Sequence, residues 1–278
     1  PLTDVNFMTL LKHEMEAGYA LPRAMRRLRN LIICAIINRD LSGKADLSEV
    51  VETMTRFAEF TIRTLLKTLY DDMMESHGMP IGTSSGTQQE LIVLGMGKLG
   101  GRELNVSSDI DLIFVYPENG ETIPTNTKHQ RLLSNQEFFI RLGRRLIAAI
   151  SEIAEDGFIF RVDMALRPNG NSGPLAGSFG MIEHYFIVQG REWERYAWIK
   201  ARAITGNPKD IATLQKIGFP FIYRKYLDFN VIESIRNLHQ QIRADVIRRE
   251  KMHPEHRDDV KLGRGGIREI EFLVQMFQ

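Results

Sequence analysis

The stretch 90–114, ELIVLGMGKLGGRELNVSSDIDLIF, limits what this chain can fold into more than any other. An apolar run over residues 91–94 enters a glycine-rich turn, and a second apolar run over residues 111–116 follows closely, with Asp109 and Asp111 at its entry. Side chains two apart on a strand leave the same face, so Asp109 and Asp111 are expected to project together while Ile110 and Leu112 go to the other side. Two carboxylates on an otherwise apolar strand are costly unless a cation neutralises them. A divalent metal with oxygen ligands, magnesium above all, is the simplest such cation. A turn rich in backbone N–H groups just upstream suits the phosphates it would carry.

The spacing also excludes two common phosphate folds. Gly95-Met96-Gly97-Lys98-Leu99-Gly100 satisfies the letters of the dinucleotide fingerprint. That fingerprint needs a full helix before the next strand, and the gap between Gly101 and Asp109 leaves no room for one. A Walker A loop is excluded because Lys98 is followed by Leu99 in place of Ser or Thr.

Composition sets looser bounds. With 278 residues, 43% hydrophobic and 26% charged, the chain can bury a sizeable core. A net charge of +1 makes no case for a nucleic-acid binder. The single Cys34 excludes a disulfide framework and a cysteine metal site, in keeping with a cytoplasmic setting. Its apolar run, residues 31–37, is too short to span a membrane, and no secretory signal pattern is present. The chain stops at Gln278 within an amphipathic pattern, which reads as a piece of something longer.

Along the chain, residues 7–77 show helical spacing (Leu28, Leu31, Ile32, Ala35), with a further helix expected from Ser48 to about Met74. Arg23, Arg26, Arg27 and Arg29 make either a solvated face or a partner surface. Residues 77–88 read as a loop, as do 117–127 and 167–178, while 135–154 read as a helix with Phe139, Leu142, Leu146 and Ile150 on one side. Residues 158–166 (FIFRVDMAL) are expected to form a strand with Arg161, Asp163 and Ala165 on one face. Residues 178–204 read as one long helix capped by Ser178, in which Trp193, Tyr196 and Trp198 serve core packing or base stacking. Asn207-Pro208 opens a shorter helix, residues 231–250 form a basic one broken at His253-Pro254, and KLGRGG (261–266) leads into a last helix from Ile267. The turn before Ile267 reads equally as an anion site or as plain capping.

An apolar strand, Leu99-Gly100-Gly101 and then Asp109-Ile110-Asp111 together resemble the nucleotidyltransferase superfamily that includes DNA polymerase beta. The resemblance is closer still for four blocks in order, GMGKLGGRELNVSSDIDLIF, RVDMALRPNGNSGPLAGS, REWERYAWIKARAITG and KLGRGGIREIEFLVQ. They are similar to the glutamine synthetase adenylyltransferases, and their wording is nearer to the deadenylylating half of those two-headed enzymes. The resemblance implies an α+β fold, with a polymerase-beta-like core of small mixed sheet and helices at 79–206, set between helical regions at 1–78 and 207–278. It implies Asp163 as the third carboxylate beside Asp109 and Asp111, holding Mg²⁺ or Mn²⁺. It also implies phosphorolysis of AMP-tyrosine on glutamine synthetase, releasing ADP, with the PII signal protein as regulator.

Within that expectation Gly100 and Gly101 cradle phosphate, since only glycine lets the main chain approach so closely. Ser107 or Ser108 either donates to phosphate or shapes the strand entry, and Lys98 and Arg167 either neutralise charge or face solvent. The alternatives are adenylylation from ATP, a nucleotide-binding module without turnover, and an NAD-binding module. The uridylyltransferase that acts on PII shares the glycine-rich and Asp-x-Asp elements but is expected to lack the later blocks.

Overall fold

The computed structural model describes residues 2–125 and 130–223 and, beyond them, parts of 237–276, among them 259–261 and 265–276. The expected basic helix at 231–250 lies largely outside the described residues, as do His253-Pro254 and Arg264.

The helical spacing of the first 77 residues resolves into α1 (Asp4–Glu16), α2 (Leu21–Leu41) and α3 (Leu47–His77). The third begins earlier than expected because Asp46, not Ser48, is its N-cap, its carboxylate accepting the Glu49 N–H at 2.7 Å. On α2, Leu28 and Ile32 are buried as expected, together with Ile36, whereas Leu31 and Ala35 face outward.

Of the three stretches read as loops, the first two each hide a strand, β1 (Met79–Gly82) and β4 (Gly120–Ile123), which pair antiparallel with each other, and the third ends in a strand at Ala176–Ser178. Residues 126 and 127 of the second stretch lie outside the described set. The larger sheet contains β2 (Ile92–Gly95), β3 (Ile110–Tyr116), β5 (Val162–Asp163), β6 (Ala176–Ser178) and β7 (Arg202–Ala203). In it β2 lies antiparallel between β3 and β7. The outer edge of β3 is shared by β5, parallel at residues 110–111, and by β6, parallel at residues 114–116. Between β2 and β3 runs a single helical turn, α4 (Gly97–Gly100).

Alternation along β2 and β3 divides the core. Leu91, Val93, Ile110, Leu112, Phe114 and Tyr116 pack with α1 to α3 and with α5 (Asn135–Ser151), whose Phe139, Leu142, Leu146 and Ile150 are all buried as expected. Ile92, Leu94, Ile113 and Val115 face the second layer, formed by α6 (Phe179–Val188), α7 (Glu192–Ile199) and α8 (Pro208–Ile222). A strand buried on both faces reads as a continuous apolar run, which is how both strands stand in the sequence. Asp111 shares parity with Ile113 and Val115, so it emerges on the side of the second layer.

The long helix expected at 178–204 is two helices. Ser178 caps the first as expected, accepting the Met181 N–H at 3.3 Å. The break falls at Gly190, where an added Cβ would lie 2.5 Å from the Phe221 ring, and Glu194 restarts the chain by accepting the Arg191 N–H at 2.8 Å. Trp198 is buried in the second layer.

The arginines of α2 neither face solvent freely nor wait for a partner. Arg23 pairs with Asp156 at 2.8 Å and Glu155 at 2.5 Å, Arg26 bonds the Glu155 carbonyl at 3.0 Å, and Arg29 the Ile159 carbonyl at 2.8 Å. They strap down the loop that leads into β5.

Candidate active site

The glycine turn is defined by what touches its two ends. At its start the Met96 N–H donates to the Asp111 carbonyl at 2.9 Å, which joins the turn to β3. Gly97 follows with φ of +50°, and a Cβ there would stand 3.0 Å from Asp111 Oδ2. Only glycine combines that backbone with so close an approach to the carboxylate. At the other end a Cβ on Gly100 would lie 1.9 Å from the Lys200 carbonyl oxygen. Gly100 is thus required by packing against the chain that enters β7. Its N–H donates to Met96 O at 3.0 Å, and that of Gly101 to Gly97 O at 2.9 Å. The two amides expected to cradle phosphate are therefore committed within the turn. The groups without an acceptor inside the turn are the first ones, on Gly97, Lys98 and Leu99, and Gly97 stands against the Asp111 carboxylate.

The three carboxylates gather at one edge of the sheet. Asp111 and Asp163 are Cα partners across the parallel β3 and β5 pair. The strand read over residues 158–166 is only Val162–Asp163, yet Arg161, Asp163 and Ala165 are all exposed while Val162 and Met164 are half-buried, so the expected alternation holds. Burial, then Asp163, then Asp109 raise the Asp111 pKa above the ordinary carboxylate range, and Lys261 opposes them.

Asp109 is turned toward Arg161, whose guanidinium it pairs with, while another nitrogen of the same group donates to Ser107 O at 2.6 Å. Asp163 accepts the Ala165 N–H at 2.7 Å. With Asp109 and Asp163 so engaged, no three His, Cys, Asp or Glu side chains among the described residues converge closely enough to hold a metal. The donor set still suits Mg²⁺ or Mn²⁺: the candidate ligands are carboxylate oxygens, and a divalent cation would offset the burial and the neighbouring carboxylates that raise the Asp111 pKa.

Ser108 is half-buried, with its N–H on Asn105 O at 3.2 Å in the turn before β3. Lys98 is half-buried on the glycine turn. Arg167 donates from Nη1 to Met164 O at 2.8 Å, and its Nε is buried with no hydrogen-bond partner. A buried guanidinium N–H without an acceptor is costly, and an anionic ligand is one way to satisfy it.

Three residues escaped the sequence reading. Arg161 lies on the carboxylate face of its strand, which its parity with Asp163 already signalled. Arg202 lies opposite Gly95 on β7 and donates to Gly100 O at 3.0 Å and Leu99 O at 2.9 Å. Lys261 acts on Asp111 from the KLGRGG turn. The helix after that turn, Ile267–Met276, starts where expected, and its Glu271 lies 3.9 Å from Lys200, which also bonds Glu103 at 3.1 Å. Blocks far apart in sequence thus close around one turn.

The family model of glutamate-ammonia ligase adenylyltransferase matches residues 6–216. The chain belongs to that family. Among curated relatives, it is 54% identical over 95% of its length to the bifunctional glutamine synthetase adenylyltransferase/adenylyl-removing enzyme of Ralstonia nicotianae, covering 29% of that protein. It is 54% identical over 92% of its length to the enzyme of the same name from Aromatoleum aromaticum, covering 26%, and 55% over 93% to that of Burkholderia mallei, covering 28%. The chain therefore spans less than a third of these relatives. A PII-uridylyltransferase model matches residues 236–278, which corrects the expectation that the last block, KLGRGGIREIEFLVQ, is foreign to that enzyme. Among the described residues no helix is long and apolar enough to cross a membrane.

Proposed function

We propose that this chain removes AMP from a tyrosine of glutamine synthetase by phosphorolysis. The observation that carries the reading is the register of Asp111 and Asp163 beside a glycine turn whose first residue, Gly97, packs against the Asp111 carboxylate. In the reaction an oxygen of inorganic phosphate attacks the phosphorus of AMP-tyrosine, the bond from phosphorus to the phenolic oxygen breaks, and ADP and tyrosine result. Phosphate is already anionic near neutral pH, and the phenolate leaving group has a pKa of about 10, so the chemistry asks for positive charge and alignment more than for a strong base.

Asp109, Asp111 and Asp163 would hold Mg²⁺ or Mn²⁺, which when bound offsets charge on the transferring phosphoryl group. The chain's own contribution is to place that group. The amides of Gly97, Lys98 and Leu99 and the Lys98 ammonium meet its oxygens, and the unpartnered Arg167 Nε takes a further oxygen. A water or the Ser108 hydroxyl returns a proton to the departing phenolate. The PII signal protein regulates this removal, a reading supported by the match of residues 236–278 to a PII-uridylyltransferase model.

Asp109→Asn should abolish phosphate-dependent release of AMP as ADP while leaving the fold intact; near-normal activity would sink the assignment. Adenylylated glutamine synthetase with Mg²⁺ and phosphate, and separately the unmodified enzyme with Mg²⁺ and ATP, test the direction. Reaction of the second pair alone would make this an adenylylating site.

A further inference from the structure

A helix of one turn cannot hold itself in place. Its carbonyls at the C-terminal end have no partners within the helix, so its orientation depends on groups brought from elsewhere. For α4 the following backbone supplies two of them, Glu103 N–H on Lys98 O at 2.7 Å and Arg102 N–H on Leu99 O at 3.3 Å, and the side-chain groups come from Arg202. The guanidinium donates from Nε to Gly100 O at 3.0 Å and from Nη2 to Leu99 O at 2.9 Å, two carbonyls at the negative end of the turn. The same Nη2 stands 2.6 Å from the Glu59 carboxylate on α3. Glu59 is 9% exposed at its side chain and is also approached by Arg63 at 3.4 Å and Arg102 at 3.5 Å. A carboxylate so buried is tolerable only with cations around it, and this one fixes the guanidinium by which the turn is held.

The other end of the turn is tied to β3 through the Met96 N–H and the Asp111 carbonyl. Between the two ties lie the amides of Gly97, Lys98 and Leu99. Movement of Arg202 therefore moves those amides relative to the Asp111 carboxylate without removing either.

We propose that Arg202, oriented by Glu59, is a positioning residue that sets the glycine turn for the phosphate-bearing ligand of the carboxylate site. It rests on the phosphoryl-transfer reading given above. Arg202 touches no reacting atom; it acts through the turn, and it assigns a further task to the block REWERYAWIKARAITG, for which the sequence suggests core packing or base stacking.

The test compares Arg202→Lys, Arg202→Met, Glu59→Gln and Asp111→Asn in the intact protein. Each is assayed for phosphate-dependent release of ADP from adenylylated glutamine synthetase and checked for folding by thermal melting. Misplacement of the amides should lower kcat of Arg202→Met about 10- to 100-fold, with KM for phosphate within about threefold of the parent. Arg202→Lys keeps a cation on the carbonyls and should recover much of that loss, and Glu59→Gln should lower kcat about three- to tenfold.

A folded Arg202→Met with parental kcat overturns the proposal, as does an effect on KM alone or a lysine variant no better than the methionine one. Should Arg202→Met fail to fold, parental kcat in both Arg202→Lys and Glu59→Gln overturns it. Asp111→Asn separates the two levels. If it stays fully active, the reading of the site has failed. If it is inactive while the Arg202 variants turn over normally, the positioning role alone is lost.

Discussion

Asp111 and Asp163 stand in register on adjacent parallel strands, so two carboxylates leave the same side of the sheet at neighbouring positions. Nothing in the packing of the sheet calls for that arrangement, and burial together with the two neighbouring carboxylates makes ionisation of Asp111 harder. The fold bears this cost where its proposed chemistry needs concentrated negative charge.

The first prediction concerns stability and pH. The folded-state pKa of Asp111 lies above its unfolded value, so its contribution is present at low pH and lost as pH rises through the folded pKa. Without divalent metal, Asp111→Asn should therefore melt at a higher temperature than the parent at neutral pH. The advantage should close as pH falls through the carboxylate range. Thermal melts across that range provide the measurement, and a variant that melts lower at neutral pH contradicts the stated cause.

Arg161 gives the second. Its guanidinium pairs with Asp109 Oδ1, so a divalent cation must compete with it for that carboxylate. Both side chains are more than half exposed, which keeps the pair weak. Arg161→Gln should tighten Mn²⁺ binding about two- to fivefold, and by less at high salt. Titration followed by water-proton relaxation reads this directly; unchanged or weaker binding would remove Arg161 from the account.

A third contrasts adjacent glycines. A methyl group on Gly100 runs into the Lys200 carbonyl oxygen at 1.9 Å and Gly95 O at 2.5 Å, both backbone. One on Gly101 meets the Glu103 carboxylate at 2.7 Å, the end of an exposed side chain, and the φ there is −76°. Gly100→Ala should cost about 1–3 kcal/mol or more, and Gly101→Ala less than about 1 kcal/mol. Urea denaturation measures both; equal costs would refute the packing argument.

What was legible in the sequence was what local pattern encodes. The buried stripe of α5 and the short gap after Gly101 follow from helix and strand periods, and the structure keeps them, whereas Asp109, read as a strand residue beside Asp111, falls one residue before β3 and pairs with Arg161. β1 and β4 stayed hidden because four-residue strands rich in Gly, Pro and Thr look like turns until the partner strand is known. Gly190 ends a helix because of Phe221, a contact that no window around residue 190 contains. Arg202 and Arg161 were missed for the same reason: an arginine's role is set by the carbonyl or carboxylate it reaches, and both reach across more than one element.

The arginine straps of α2 bear on how far this chemistry can be transplanted. Arg23, Arg26 and Arg29 hold the loop from which β5 emerges, and α3 contributes the glutamate that fixes the glycine turn. A shorter chain begun at residue 79 would retain all three aspartates yet lose the anchor for one of them and the brace behind the turn. The portable unit is thus larger than the sheet that displays the carboxylates, and a graft onto another scaffold would have to carry the N-terminal helices with it.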